Sequence, residues 1–251
     1  TIKKPSDYFN TKLYTGTGSA TSITGVGFQP DWVWIKKRNG TTSHTVTDSV
    51  RGVNKQLFTN EVEAEESYTS VLTAFDSDGF SLSTAGLINA SSDTYASWNW
   101  LANGAGSANT DGATASTVSA NTTAGFSIVK YTGAGATTYG HGLGATPNMI
   151  IIKKLNSADD WFVYHHTLLT PSATQKQFIL LNSTSAFASN GSATTFTSVS
   201  NSTFGVGTDD KISESGDSFI AYCFAEKQGY SKFGSYTGNG NADGTFVYTG
   251  F

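Results

Sequence analysis

A chain of 251 residues, 37% hydrophobic and 13% aromatic with only 14% charged, can bury a sizeable core, and disorder driven by charge excess is excluded. Its formal net charge of -4, with no basic run longer than Lys36-Lys37-Arg38, excludes the extended positive field that a nucleic-acid groove requires. No stretch approaches the roughly 18 consecutive apolar residues of a membrane span, and the opening residues TIKKPSDYFN lack an apolar signal region, so neither membrane insertion nor a retained secretion signal is expected.

Abundant Gly, Ser and Thr beside four prolines and few strong helix formers point to many short strands joined by polar turns. The first unit is read over residues 1–101. Phe9 to Tyr14 alternates as a strand and ends at Gly16-Thr17-Gly18; Ser22 to Phe28 is extended up to Gln29-Pro30. Asp31 to Lys37 is the clearest strand, with Trp32 and Trp34 on one face and Val33 and Ile35 on the other. Apolar on both sides, it is expected to be covered on both. Packing is the first role for its tryptophans, and sugar stacking the second.

Past the Lys36 to Gly40 turn, His44 and Asp48 stand about 13 Å apart on one strand, too far for a direct pair. The acidic run Glu61, Glu63, Glu65, Glu66 reads as a solvated loop or short helix. Asp76-Ser77-Asp78-Gly79 reads as a turn whose carboxylates accept backbone N–H bonds. Calcium at these acidic sites is the only cofactor left open, and no loop pattern of fixed ligand spacing supports it. Tyr95 to Trp100 closes the unit with Trp98 and Trp100 on one face.

Residues 102–125 carry only short side chains and read as a linker or surface loop. A second unit over 126–229 follows: Tyr131 to Lys154, YTGAGATTYGHGLGATPNMIIIKK, returns in register the Tyr14 to Lys37 stretch YTGTGSATSITGVGFQPDWVWIKK. A partial third opening over 230–251, YTGNGNADGTFVYTGF from Tyr236, could complete a sheet of an earlier unit. The expected fold is all-β: antiparallel β-sandwich units, internally duplicated. The lone Cys223, within SFIAYCFA, is a small buried hydrophobe.

The second unit departs from the first at Asp160, Trp161, Tyr164, His165 and His166, the richest polar-aromatic cluster of the chain and the candidate glycan-binding edge. His165 and His166 are expected on opposite strand faces, which disfavours a shared zinc site. No catalytic motif is present, and an enzyme is the less favoured reading. Were the chain a polysaccharide hydrolase or lyase, its carboxylates would come from Asp160, Glu214 and Asp217.

Four segments, YTG…GFQPDWVWIKKRN, DSVRG at Asp48 to Gly52, FDSDGFSL at Phe75 to Leu82, and YASWNW, resemble an uncharacterised β-rich repeat domain family of bacteriophage tail-associated and virion structural proteins, especially of marine phages. The resemblance covers both units and the third opening. It implies a virion or extracellular location, assembly with itself, often three-fold, or with other virion proteins, and adhesion to bacterial surface polysaccharide. The second unit lacks DSVRG, with His165 for Asp48 and Leu168 for Arg51, so any role of that pair occurs once; a hydrogen-bonded turn is expected there.

Overall fold

The computed structural model describes residues 1–68, 71–187 and 193–250. In the first part of the chain lie β1 (Phe9–Thr15), β2 (Thr21–Thr24), β3 (Trp32–Lys37), β4 (Thr45–Asp48), β5 (Lys55–Phe58), β6 (Glu66–Ser67), β7 (Leu72–Asp76), β8 (Gly79–Leu82), the short helix α1 (Gly86–Asn89) and β9 (Thr94–Trp100). Then come β10 (Ser107–Asn109), β11 (Ser116–Asn121), β12 (Phe126–Thr132), β13 (Thr137–Gly140), β14 (Met149–Lys154), β15 (Phe162–His165), β16 (Ile179–Leu180), β17 (Phe196–Val199), β18 (Thr203–Val206), α2 (Asp210–Ser213) and β19 (Ser218–Phe224).

These strands make four antiparallel sheets. A first inner sheet, β1-β9-β3-β4-β5-β6, carries a first outer sheet, β2-β8-β7; a second inner sheet, β10-β11-β12-β19-β14-β15-β16, carries a second outer sheet, β13-β18-β17. The order β1-β9-β3-β4-β5 recurs as β12-β19-β14-β15-β16, and β2-β8-β7 as β13-β18-β17. Three cores separate the four layers. Val33, Ile35, Phe80 and Tyr95 fill the first sandwich, and Ile150, Ile152, Phe204 and Phe219 fill the second. Between the inner sheets lie Trp32, Val46, Leu57, Ile128, Ile151, Trp161 and Tyr222. The third strand of each unit is therefore covered on both faces, as its two apolar faces require. Trp32 lies against Phe126 and Tyr222 with ring centroids 5.7 and 4.6 Å away. Bulky indoles of β3 thus share the central core with the slimmer Met149 and Ile151 of β14.

The recurring Tyr-Thr-Gly has a structural cause. Tyr14 Oη donates to Ile88 O at 2.7 Å, and Tyr131 Oη to Ile212 O at 2.8 Å, each fastening its strand to the short helix before the closing strand. Glycine follows because the backbone must pass close by. A Cβ on Gly16 would stand 2.2 Å from Ala90 O, and one on Gly133 2.0 Å from Glu214 O.

A buried polar group joins the units. Asp48 Oδ2 accepts from Arg51 Nε at 2.5 Å and from Tyr222 Oη, on the second inner sheet, at 2.7 Å. Arg51 also reaches Glu65 Oε2 at 3.2 Å and donates to Val46 O. Burial opposes the guanidinium's charge, but Asp48, Tyr222 and Glu65 outweigh it and raise the pKa above the usual value. The turn pair expected from DSVRG is present, and it also pins the two halves together.

Two expectations need correction. Residues 102–125 are not merely a linker: β11 pairs with β12, and β10 with β11, extending the second inner sheet. Short side chains did not prevent burial, because strand pairing uses the backbone, while Val118 enters the second core with Ala120 packed against it and Ala102 enters the central one. The third opening completes no sheet here. Among the described residues after β19 there is only an isolated bridge, Lys227 to Ser231, and 234–250 are exposed coil. Phe251, and the part of the Ser183 to Ser202 loop at 188–192, lie outside the described residues.

Candidate functional site: an aromatic groove between the inner sheets

The candidate cluster at 160–166 is divided among separate environments. Trp161 is 0% exposed; its Nε1 donates to Phe58 O of the first unit at 3.0 Å, and its ring lies beside Tyr222. Tyr164, 5% exposed, points the other way, into the second sandwich against Phe196. Neither ring is free to stack on a sugar, which corrects the expectation for both. Asp160 is half-buried and accepts from Asn182 Nδ2 at 2.9 Å.

His165 and His166 do not diverge as expected, because β15 ends at His165 and the chain turns there. Their ring centroids are 5.4 Å apart. His165 Nδ1 bonds Thr167 Oγ1 at 2.9 Å, and His166 Nε2 lies 3.3 Å from Phe233 O. Burial, then the neighbouring His166, holds the His165 pKa below its usual value. Among the described residues no group of three or more His, Cys, Asp and Glu side chains is placed to hold a metal ion. Of the other carboxylates, Asp217 is bound by Lys154 Nζ at 2.5 Å and Asn156 Nδ2 at 2.7 Å, interactions that hold its pKa below the usual range. Glu214 is exposed beyond α2.

The aromatic surface that remains open is elsewhere. On the inward face of the first inner sheet, Phe9, Trp100 and Trp32 form one cross-strand row, and Thr11, Trp98, Trp34 and Val46 the next. The second inner sheet buries Trp32 and Val46 but leaves Trp34, Trp98 and Trp100 half-buried. A groove of about 290 Å³ opens there, walled by Phe9, Trp34, Trp100, Met149, Tyr230 and Phe233. Trp34 and Trp98 meet edge to face at 6.0 Å, and Phe9 lies 4.7 Å from Trp100, so the rings brace one another. The Nε1–H of Trp32, on the groove wall, is buried and finds no acceptor among the described residues.

Trp34 also borders a second recess, of about 320 Å³, with His44, Thr59, Asn60, Asn182 and Ser183. Its amides are held in place: Asn60 Oδ1 accepts from His44 N at 2.7 Å, and Asn182 Oδ1 from Trp161 N at 3.0 Å. Trp161 and Asp160 thus serve the recess from behind, by orienting Asn182. Burial, and then Lys36, lowers the His44 pKa. Chemically the arrangement offers apolar ring faces beside neutral hydrogen-bonding groups. Sequence reading put packing first and sugar stacking second for Trp32 and Trp34, and set Trp98 and Trp100 on one face; the alternation shows which face they share but not how far the opposing sheet extends over it.

Fold and groove together define a four-layer antiparallel β protein with an aromatic cleft at the edge of its central interface. The chain belongs to the family described as Domain of unknown function (DUF7483), whose model matches residues 4–251. No curated protein matches the chain. No solved structure matches it. Among the described residues no helix is long and apolar enough to cross a membrane.

Proposed function

We propose that the chain is a non-catalytic virion module of a bacteriophage tail that recognises bacterial surface glycans, with the groove at Phe9, Trp34 and Trp100 and the adjoining recess between Trp34, Trp98 and Trp100 as the binding surface. The observation that carries this reading is three half-buried indoles on one sheet face beside a recess of oriented side-chain amides. Sugar rings present apolar C–H faces and a rim of hydroxyls, and a site that pairs ring faces with neutral donors and acceptors matches both. The phage assignment rests on the sequence resemblance, and the low charge of the chain suits a surface module that binds neutral polysaccharide.

The test is a glycan array followed by titration of any bound polysaccharide, reading tryptophan fluorescence. Trp98→Ala and Trp34→Ala should each cost about 2 kcal/mol or more, as truncation of an aromatic anchor does, which is about thirtyfold or more in Kd. Trp100→Phe should weaken binding less. No glycan bound by the folded protein, or binding indifferent to Trp34 and Trp98, would refute the assignment. Release of oligosaccharide products would replace it with the hydrolase or lyase reading.

A further inference from the structure

Trp34 borders three hollows. It walls the groove of about 290 Å³ with Phe9 and Trp100, a recess of about 260 Å³ with Trp98 and Trp100, and the recess of about 320 Å³ with His44, Thr59, Asn60 and Asn182. Their walls follow successive cross-strand rows of the first inner sheet. Phe9, Trp100 and Trp32 make the first row, and Trp98 and Trp34 the second. His44 stands two residues before Val46, the partner of Trp34, and so falls in the third row with Thr59, whose N–H donates to His44 O. Rows on one face are two residues apart, about 7 Å, so the first and third stand about 14 Å apart. A single sugar ring does not span that length.

Both outer hollows have polar groups left unused on their walls. Trp32 Nε1–H in the first and Thr59 Oγ1 in the third are buried and have no partner among the described residues. The His44 ring also makes no hydrogen bond among the described residues; its backbone N–H is the group that Asn60 holds. With its pKa lowered, the neutral ring offers one donor and one acceptor. The middle hollow is walled by indoles alone. Ring faces therefore lie between two ends that each keep unspent hydrogen-bonding groups, and a ligand confined to one hollow leaves the others unfilled.

Resting on the assignment of this surface to glycans, we propose that the site takes three consecutive sugars of a polysaccharide chain, one in each hollow, rather than a single terminal sugar. Trp34 touches all three units, and His44 is the specificity contact of the third. The first sugar bound bears the loss of translational and rotational freedom; each linked neighbour then adds its own contacts without bearing that loss again.

Chain length is the variable that tests this. A bacterial polysaccharide retained on the glycan array is cut by partial acid hydrolysis, and size-sorted fragments of one to six sugars are titrated by tryptophan fluorescence. Affinity should rise about tenfold with each added sugar up to three, ~1.4 kcal/mol per unit, and change little beyond. Trp34→Ala should weaken fragments of every length. His44→Ala should weaken only those of three or more, down to the affinity of the two-sugar fragment, and binding of the short fragments shows that this variant is folded. His44→Gln, which keeps a donor and an acceptor, should restore part of the loss. A single sugar that binds as tightly as three, or a His44→Ala loss that is absent or equal at all lengths, would overturn the proposal while the polysaccharide itself still binds. No bacterial surface glycan bound by the folded protein would instead remove the glycan assignment on which it rests.

Discussion

The turn after β4 and the turn after β15 occupy corresponding places in the two units and have opposite fates. In the first, Asp48 Oδ1 accepts from Val50 N at 3.1 Å and its other oxygen holds the buried Arg51. In the second, His165 Nδ1 takes the same capping place, 3.4 Å from Thr167 N, while Leu168, where Arg51 would stand, is 46% exposed. The backbone device is shared, but the surroundings are not. The second inner sheet covers Asp48 and Arg51 with Tyr222, while residues 166–168 of the second turn are exposed. The same sheet buries Trp32 and leaves Trp34, Trp98 and Trp100 half-buried, so the buried ion pair and the open aromatic groove both lie on the face where the inner sheets meet.

Breaking the buried side of this comparison should have the largest effect. Arg51→Ala leaves the Asp48 carboxylate and the Tyr222 hydroxyl without their cation in a dry interface, and removing one partner of such a pair costs about 3–5 kcal/mol. Urea unfolding followed by tryptophan fluorescence measures it. If the two halves unfold separately in the variant, the transition also splits, since these groups connect the first unit to β19.

Much of this architecture was legible because it depends on local pattern. The two apolar faces of β3 and β14 called for cover on both sides, and the repeated Tyr-Thr-Gly placed corresponding strands in register. The site was less legible. Trp161 sits among Asp and His in the sequence, which suggested a surface, yet its burial depends on the carbonyl of Phe58, far away in the chain. Trp34 and Trp98 looked like core because nothing in their own strands tells where the opposing sheet stops. The 102–125 segment misled for another reason: long side chains measure how much core a strand can fill, whereas β10 and β11 are held by backbone pairing at an edge.

A smaller effect separates the units by pH. His141 is fully buried; its Nδ1 accepts from Leu143 N at 3.2 Å and its Nε2 lies 3.2 Å from Ser200 O, so the neutral ring with its proton on Nε2 satisfies both. Burial lowers its pKa, only partly offset by the Ser200 carbonyl and Asp111. With the folded pKa depressed, neither state is protonated above the unfolded value of about 6.5, and the full contribution is present there. As pH falls below that value the unfolded chain binds a proton that the folded chain does not, and stability declines by up to about 1.4 kcal/mol per pH unit until the folded pKa is reached. Urea midpoints between about pH 7 and pH 5 should fall less steeply in His141→Gln. The residual slope belongs partly to His165, whose pKa is also lowered, and His44 adds a first-unit share in the same direction.

The smallest expected change sharpens the comparison most. Leu168→Ser alters the residue that corresponds to Arg51, but at 46% exposure it removes little packing, and the cap made by His165 stays intact. A shift within about 0.5 kcal/mol is expected from urea unfolding at low protein concentration. A larger loss would mean that Leu168 is held in packing as Arg51 is, and that the two turns differ less than their exposure indicates.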